Sequence, residues 1–268
     1  MNILVLGDVV GEVGRRALSA VLPEWKKEYE ADVVIVNIEN MAHGRGISPN
    51  AFVEIAPLGI SAYTTGDHAW DHKPGIPLLE NPKNHIVRPG NYPDSNPGKG
   101  YTTFSIGAVQ IAVLNLQGQV FFKNHPDNPF QALDALLKVP SVASSHVILL
   151  DFHAEATSET RAMGYYADGR VTAVWGTHTH VPTNDAQILT QGTGYVTDVG
   201  FVGGYDSIIG MEKRGPMRMF TTQIKDRFDP VESGPFEVNG LLIKTNPLKE
   251  KGVARTNDIA SLRKILKN

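Results

Sequence analysis

His178 and His180, set one residue apart in Gly176-Thr177-His178-Thr179-His180-Val181-Pro182, are the side chains whose type and spacing most directly offer chemistry. Neutral imidazole is the commonest metal ligand in proteins. The pair follows the apolar run Val171-Thr172-Ala173-Val174-Trp175. If that run is a strand, alternation points both imidazoles to the same side, and Gly176 gives the backbone freedom to turn there. The alternative is one satisfied, partly buried histidine and one facing solvent. A third imidazole, His153, closes the apolar stretch that begins at His146.

Three carboxylates arrive in the same manner. Asp8 follows Asn2 to Leu6 and Gly7; Glu39, with Asn40 behind it, follows Asp32 to Asn37 and Ile38; Asp67 follows Ile60 to Thr65 and Gly66. A lone Asp after a strand commonly caps a helix. Three in succession favour a shared role. The chain has no Cys, which excludes disulfides, thiolate ligands and a cysteine nucleophile, so a metal site must be built from oxygen and imidazole.

These side chains need strands that end at one edge, where open α/β sheets hold their ligands. Asn2 to Leu6, a tight turn and a helix from about Gly14 to Tyr29 read as the opening of a parallel α/β sheet. Gly7, Gly11 and Gly14 lack the spacing of a dinucleotide loop, and Asp8 at its tip would repel a pyrophosphate. Asn81 to Lys99 is a long Pro-, Asn- and Gly-rich connection of the kind that is usually functional or mobile. Tyr101 to Ile106 and Val109 to Leu116 form a hairpin around Gly107-Ala108, and Phe130 to Leu137 a helix. Ala154 to Glu159 begins another helix with Thr157 or Ser158 as its cap. Short strands and turns follow to Lys213, then a strand or strand pair over Phe236 to Thr245 and a basic amphipathic helix over Ile259 to Leu266. No repeat or linker divides residues 1–268, which are read as a single domain. The strands exceed what one parallel sheet needs, and two sheets packed face to face with helices outside would use them.

The chain is 41% hydrophobic and 20% charged, enough for a sizeable core. Its 25 basic and 28 acidic residues leave a formal charge of −3, so the basic footprint of stable nucleic-acid binding is missing and an anionic substrate must be attracted locally. No signal-peptide pattern or membrane-length apolar stretch is found, and a cytoplasmic protein without a membrane partner is expected.

Collected, Asp8, Glu39, Asn40, Asp67, His153, His178 and His180 are too many for one four-coordinate zinc; two metals sharing a carboxylate would use them all. In this order, Gly7-Asp8-Val9-Val10-Gly11, Asn37-Ile38-Glu39-Asn40, Gly66-Asp67-His68-Ala69-Trp70-Asp71, Asp151 to Glu159 and Gly176 to Thr183 resemble the calcineurin-like metallophosphoesterases, and within them the bacterial YmdB-like branch of cyclic-nucleotide phosphodiesterases. The resemblance covers nearly the whole chain to about Met211. It implies a four-layer αββα sandwich of two mixed sheets. It also implies that Asp8, Asn40 and His180 hold one metal, that Asp67, His153 and His178 hold a second, that Glu39 bridges them, and that His68 is the general acid.

Two cations about 3.5–4 Å apart clamp the attacking and leaving oxygens of an in-line phosphoryl displacement and turn a bound water into hydroxide near neutral pH. The donor set suits iron or manganese first, and zinc after them. The expected substrate is a small phosphodiester, with 2′,3′-cyclic nucleotides foremost by resemblance. The alternatives are a phosphomonoesterase or nucleotidase, and a metal-bound regulatory protein of weak catalysis. Asp71, three residues after His68, could hydrogen-bond its imidazole. Arg45 or Arg88 could assist at a phosphate or be exposed loop charges, and Trp70 is read as core packing over a base platform. Asp151, Glu155, Asp185 and Asp198 are candidate acceptors for the ligand imidazoles. The late strand and C-terminal helix could form an interface, and a homo-oligomer is expected.

The chain departs from the family pattern at Gly66-Asp67-His68, where Gly-Asn-His is usual. An ionised Asp accepts only, whereas an Asn amide also donates. Asp67 should bind metal more tightly and favour lower turnover or a different substrate. Val10 stands where the broader superfamily has a histidine, and Asn40 takes that part.

Overall fold

Runs such as Ile3–Leu6 and Val33–Val36 carry apolar side chains on both faces, and as strands they must be covered on both sides. The computed structural model, which describes residues 1–247 and 252–267, meets that demand with two sheets between helices. The chain opens with β1 (Asn2–Leu6), β2 (Asp8–Val9), α1 (Gly11–Glu28), β3 (Val33–Asn37), α2 (Pro49–Ile55), β4 (Ala62–Thr64) and α3 (Ile76–Glu80). The hairpin β5 (Tyr101–Ile106) and β6 (Val109–Gln117) leads through α4 (Pro129–Leu136) and α5 (Pro140–Ala143) to β7 (Val147–His153), α6 (Thr157–Ala167) and β8 (Ala173–Thr177). Then come β9 (Gln187–Ile188), β10 (Gly194–Val196), β11 (Phe201–Gly204), α7 (Arg214–Thr222), β12 (Phe236–Thr245) and β13 (Thr256–Leu266).

The first sheet has seven strands in the order β2-β11-β12-β1-β3-β4, with β13 also paired to β12. Strands β1, β3 and β4 run parallel, while β12 is antiparallel to β1, β11 and β13. The second sheet has six, β5-β6-β7-β8-β10-β9; its middle strands are parallel and its two outer strands antiparallel. Both sheets are therefore mixed. Period-two alternation sorts their side chains into three cores. Ile3, Val5 and Ile35 meet Ile111, Leu149 and Trp175 between the sheets. Leu4, Leu6 and Val36 turn to Leu18, Leu22 and Trp25 of α1, and Leu114, Leu150 and Val174 to Leu133 and Met163 of α4 and α6. The layers read helix, sheet, sheet, helix, as the sequence resemblance implies.

The C-terminal helix expected over Ile259 to Leu266 is instead the strand β13, paired with β12 from Phe236↔Leu266 to Thr245↔Thr256. Apolar spacing at 259, 262 and 266 suits a helix face and also a strand half-covered on both faces. Leu262 and Leu266 reach the core under α1, while Ile259 reaches the core between the sheets. Helix α6 is preceded by Ala156 with no side-chain cap, so neither Thr157 nor Ser158 serves there. Residues 67–70 form turns. Among the described residues no helix is long and apolar enough to cross a membrane.

Candidate metal centre

Parallel strands end at a common rim, and the chemistry collects there. Asp8 opens β2, Glu39 and Asn40 follow β3, Asp67 follows β4, His153 closes β7, and His178 and His180 follow β8. Gly66 is required by close approach: a Cβ there would lie 2.2 Å from His153 Nε2. The strand does not continue through the histidine pair, as alternation had suggested. Strand β8 stops at Thr177, and His178 (φ 100°) and His180 (φ 63°) adopt left-handed conformations that L side chains rarely take. This strained turn sends the two imidazoles to different partners.

His178 joins the tighter group. One ligand atom each from Glu39, Asp67, His153 and His178 lie within 4.8 Å of one another. His153 Nε2 is 3.2 Å from Glu39 Oε1, 3.1 Å from Asp67 Oδ1 and 3.1 Å from His178 Nδ1. The surrounding network fixes which ring nitrogens face inward. His153 Nδ1–H donates to Thr177 Oγ1 (2.9 Å), and that hydroxyl donates to Asp151 Oδ1 (2.7 Å). His178 Nε2–H donates to Glu155 Oε2 at 3.1 Å. Two imidazole lone pairs and two carboxylates thus converge, a set that calls for positive charge at its centre.

Burial would push the Glu39 carboxyl up, but the His153 imidazole beside it holds it below the usual range. Burial likewise opposes ionisation of Asp67, and its hydrogen bonds to His153 and His178 outweigh that and hold it well down. Burial lowers His153, yet the charges of Glu39 and Asp67 raise it well above the usual imidazole value. A proton partly meets this demand; a divalent cation meets it more completely and uses both lone pairs. Behind the ligands, burial pushes the Asp151 carboxyl up to about 7, against hydrogen bonds from Thr64 and Thr177.

The second group adjoins the first. His180 Nδ1–H donates to the Ile209 carbonyl (2.9 Å), which leaves Nε2 facing Asn40 Oδ1 at 3.3 Å. Asn40 spends its amide on the Gly44 carbonyl (3.0 Å), so its oxygen is the atom turned to the site. The His180 ring stacks on Phe201 at 5.7 Å between centroids. Asp8 is fully buried; its Oδ2 accepts the His178 N–H at 3.3 Å, while Oδ1 has no hydrogen-bond partner. A buried carboxylate oxygen without a partner is costly, and a cation would satisfy it. The residues present therefore fit a cation at the group of four, and the donors of the adjoining group are of the same chemistry.

His68 lies at the mouth of the site. Its Nδ1 is 2.8 Å from Asp71 Oδ2, and its backbone N–H donates to Glu39 Oε2 at 3.1 Å. A cavity of about 730 Å³ opens over Glu39, Asn40, His68, His178 and His180, with Arg45 and Lys123 in its lining. Arg88 is neither a phosphate ligand nor an exposed charge: it is buried, and its guanidinium donates to the carbonyls of Pro89, Tyr92 and Pro93. Trp70 donates Nε1–H to the Pro97 carbonyl and packs edge-on against Tyr92. Of the expected acceptors, Glu155 serves His178 directly and Asp151 serves His153 through Thr177. Asp198 instead holds Thr179 and Gly200, and Asp185 bonds Thr183, Thr197 and Arg161, away from the imidazoles.

Thr177, Phe122 and Glu159 were not apparent from the sequence. Phe122 packs 4.7 Å from the His178 ring, and Glu159 fixes its loop by accepting the N–H groups of Gln119 and Val120. Thr177 does sit between Gly176 and His178, and its hydroxyl was the one available clue.

A family model described as YmdB-like protein matches residues 4–256. A 2′,3′-cyclic-nucleotide 2′-phosphodiesterase of Bacillus subtilis (strain 168) is 41% identical over 94% of this chain and 94% of its own. Among solved structures, a hypothetical protein from Thermus thermophilus superposes with a TM-score of 0.90 at 38% identity, covering 99% of this chain and 100% of that one. A phosphatase of Mycoplasma pneumoniae superposes with a TM-score of 0.91 at 31% identity, over 100% of this chain and 94% of that one.

Proposed function

The chain belongs to this YmdB-like family, and from that premise we propose that it is a dinuclear metal-dependent phosphodiesterase acting on small phosphodiesters, 2′,3′-cyclic nucleotides first among them. The observation that carries the proposal is the convergence of Glu39, Asp67, His153 and His178 within 4.8 Å, with Glu39 and His178 lining the cavity. That cavity has the size of a small-molecule pocket, ~300–1,000 Å³. The substrate class is taken from the activity named for the Bacillus relative.

Asp67, His153 and His178 would hold one cation, Asp8, Asn40 and His180 the other, and Glu39 both. Carboxylate and imidazole donors together favour iron or manganese. When bound, such cations supply charge against the phosphoryl oxygens and acidify a water near neutral pH. The residues around them do the rest. Asp71 accepts from His68 Nδ1 and so fixes the ring at the cavity mouth. As water oxygen bonds to phosphorus and the phosphorus bond to one ribose oxygen breaks, His68 Nε2–H supplies the proton that the leaving oxygen needs. Arg45 and Lys123 give local attraction to an anion in a chain of net charge −3.

Hydrolysis of 2′,3′-cyclic AMP and bis-p-nitrophenyl phosphate, set beside p-nitrophenyl phosphate, tests this reading. We expect both diesters to be cleaved with added manganese and protected by a chelator, and the cyclic nucleotide to stop at the monophosphate. Faster cleavage of the monoester, or rates indifferent to chelation, would overturn it.

A further inference from the structure

The cavity over the metal centre has two unlike ends. One is polar, formed by Glu39, Asn40, His178 and His180 with His68 in the same lining. The other is apolar and comes from a single stretch of chain, in which Ile209, Met211, Pro216, Met219, Phe220 and Phe228 line the same space. Pro216, Met219 and Phe220 are spaced i, i+3 and i+4 along α7, so one face of that helix turns to the cavity. Phe220 is nevertheless 69% exposed, and Phe228 is exposed too. Large rings left open to water along a cavity wall mark a ligand surface, where a core would have covered them.

This wall is fixed to the metal centre. The Ile209 carbonyl accepts the His180 Nδ1–H at 2.9 Å, and Ile209 reaches that position at φ 48°, a conformation that a β-branched residue rarely takes. Its side chain is left 46% exposed in the cavity lining. The outgoing and returning legs of the stretch are tied to each other. The Glu212 N–H donates to the Asp229 carbonyl at 2.8 Å and the Val231 N–H to the Gly210 carbonyl at 3.1 Å. Gly215 lets α7 approach the returning leg, since a Cβ there would lie 2.0 Å from the Arg227 carbonyl oxygen. An apolar surface is thus held at a set place relative to His180.

We propose that this wall is a nucleobase subsite, with Phe220 its stacking face, and that it sets the preference of the centre for nucleoside cyclic phosphates over other small diesters. The inference rests on the phosphodiesterase reading above. A nucleoside 2′,3′-cyclic phosphate carries its charge at one end and a flat, weakly polar ring at the other, which matches the two ends of the cavity. Every base presents a π-face to an aromatic side chain, whatever its edge. The wall also holds Lys225 and Asp226, charged groups that the polar edge of a base can meet and that a hydrocarbon chain would desolvate at a cost. This favours a base over an acyl chain as the occupant.

Ribose 2′,3′-cyclic phosphate, the same diester without a base, isolates the contribution of the wall. With manganese added, we expect kcat/KM for 2′,3′-cyclic AMP to exceed that for the baseless diester by about 5–150-fold, the range that stacking of one base commands. Phe220→Ala should remove most of that ratio with the melting temperature unchanged, since truncations at the surface cost little, and Phe220→Trp should keep it. Met217→Ala, which shortens an exposed apolar side chain of the same helix outside the cavity lining, should also keep it. Calorimetry with adenosine 3′-monophosphate beside ribose 5-phosphate reads the same preference without turnover, and Phe220→Ala should lose it there as well. A calorimetric preference without diester hydrolysis would support the subsite and strike the phosphodiesterase reading. Hydrolysis of both diesters with equal kcat/KM would strike the subsite and leave that reading standing. A preference that Phe220→Ala leaves intact, or a loss that Met217→Ala reproduces, would overturn the subsite.

Discussion

His68 and Asp67 divide the work expected of a shared motif. His68 is tied to Asp71 on one side and, through its backbone, to Glu39 on the other, so the ring is held in the cavity lining and outside the group of four ligands. His68→Ala should therefore leave the metal content intact and lower kcat by about 10²–10⁴-fold, as loss of a general acid does; a loss below about tenfold would remove it from the mechanism. Asp67 is the opposite case. Its Oδ1 is 3.1 Å from His153 Nε2 and 3.5 Å from His178 Nδ1, so it is the oxygen that faces the two imidazoles. Asp67→Asn keeps an oxygen, removes a negative charge beside an anionic substrate and adds a donor. It should retain both metals by elemental analysis and raise diesterase turnover, and a large loss of activity would contradict this account of the motif.

At the scale of elements, the site depends on strand ends that approach more closely than side chains permit. The Gly66 contact with His153 makes Gly66→Ala a test of that packing: any Cβ must displace the imidazole. We expect a marked loss of bound metal and of activity, measured together, and unchanged metal content would show that the loop can yield. The strands themselves were legible, since β1, β3, β7 and β8 are apolar runs and each is followed or closed by a polar residue able to bind metal. The turn after β8 was not legible, because positive φ at His178 and His180 is imposed by tertiary contacts such as His180 with Ile209 and Phe201. The same limit explains β13, where spacing alone could not separate a helix from a strand and the free edge of β12 decided. Arg88 looked like a loop charge because nothing local reveals that three loop carbonyls fold around it.

For the whole molecule, the two sheets are joined at their rim by the groups that would hold metal. Asp8, Glu39, Asn40 and Asp67 come from the first sheet; His153, His178 and His180 come from the second. Cations bound there would link the sheets across the core that Ile35, Leu149 and Trp175 form between them. Catalysis and the closure of the sandwich at that end then share one set of contacts, and the substrate is drawn by a local charge that the acidic chain as a whole lacks. The most direct test is elemental analysis of the purified protein after incubation with iron or manganese and removal of free metal. The account predicts about two ions per chain, falling to about one in His180→Ala. No bound metal, or a content that His180→Ala leaves unchanged, would contradict it.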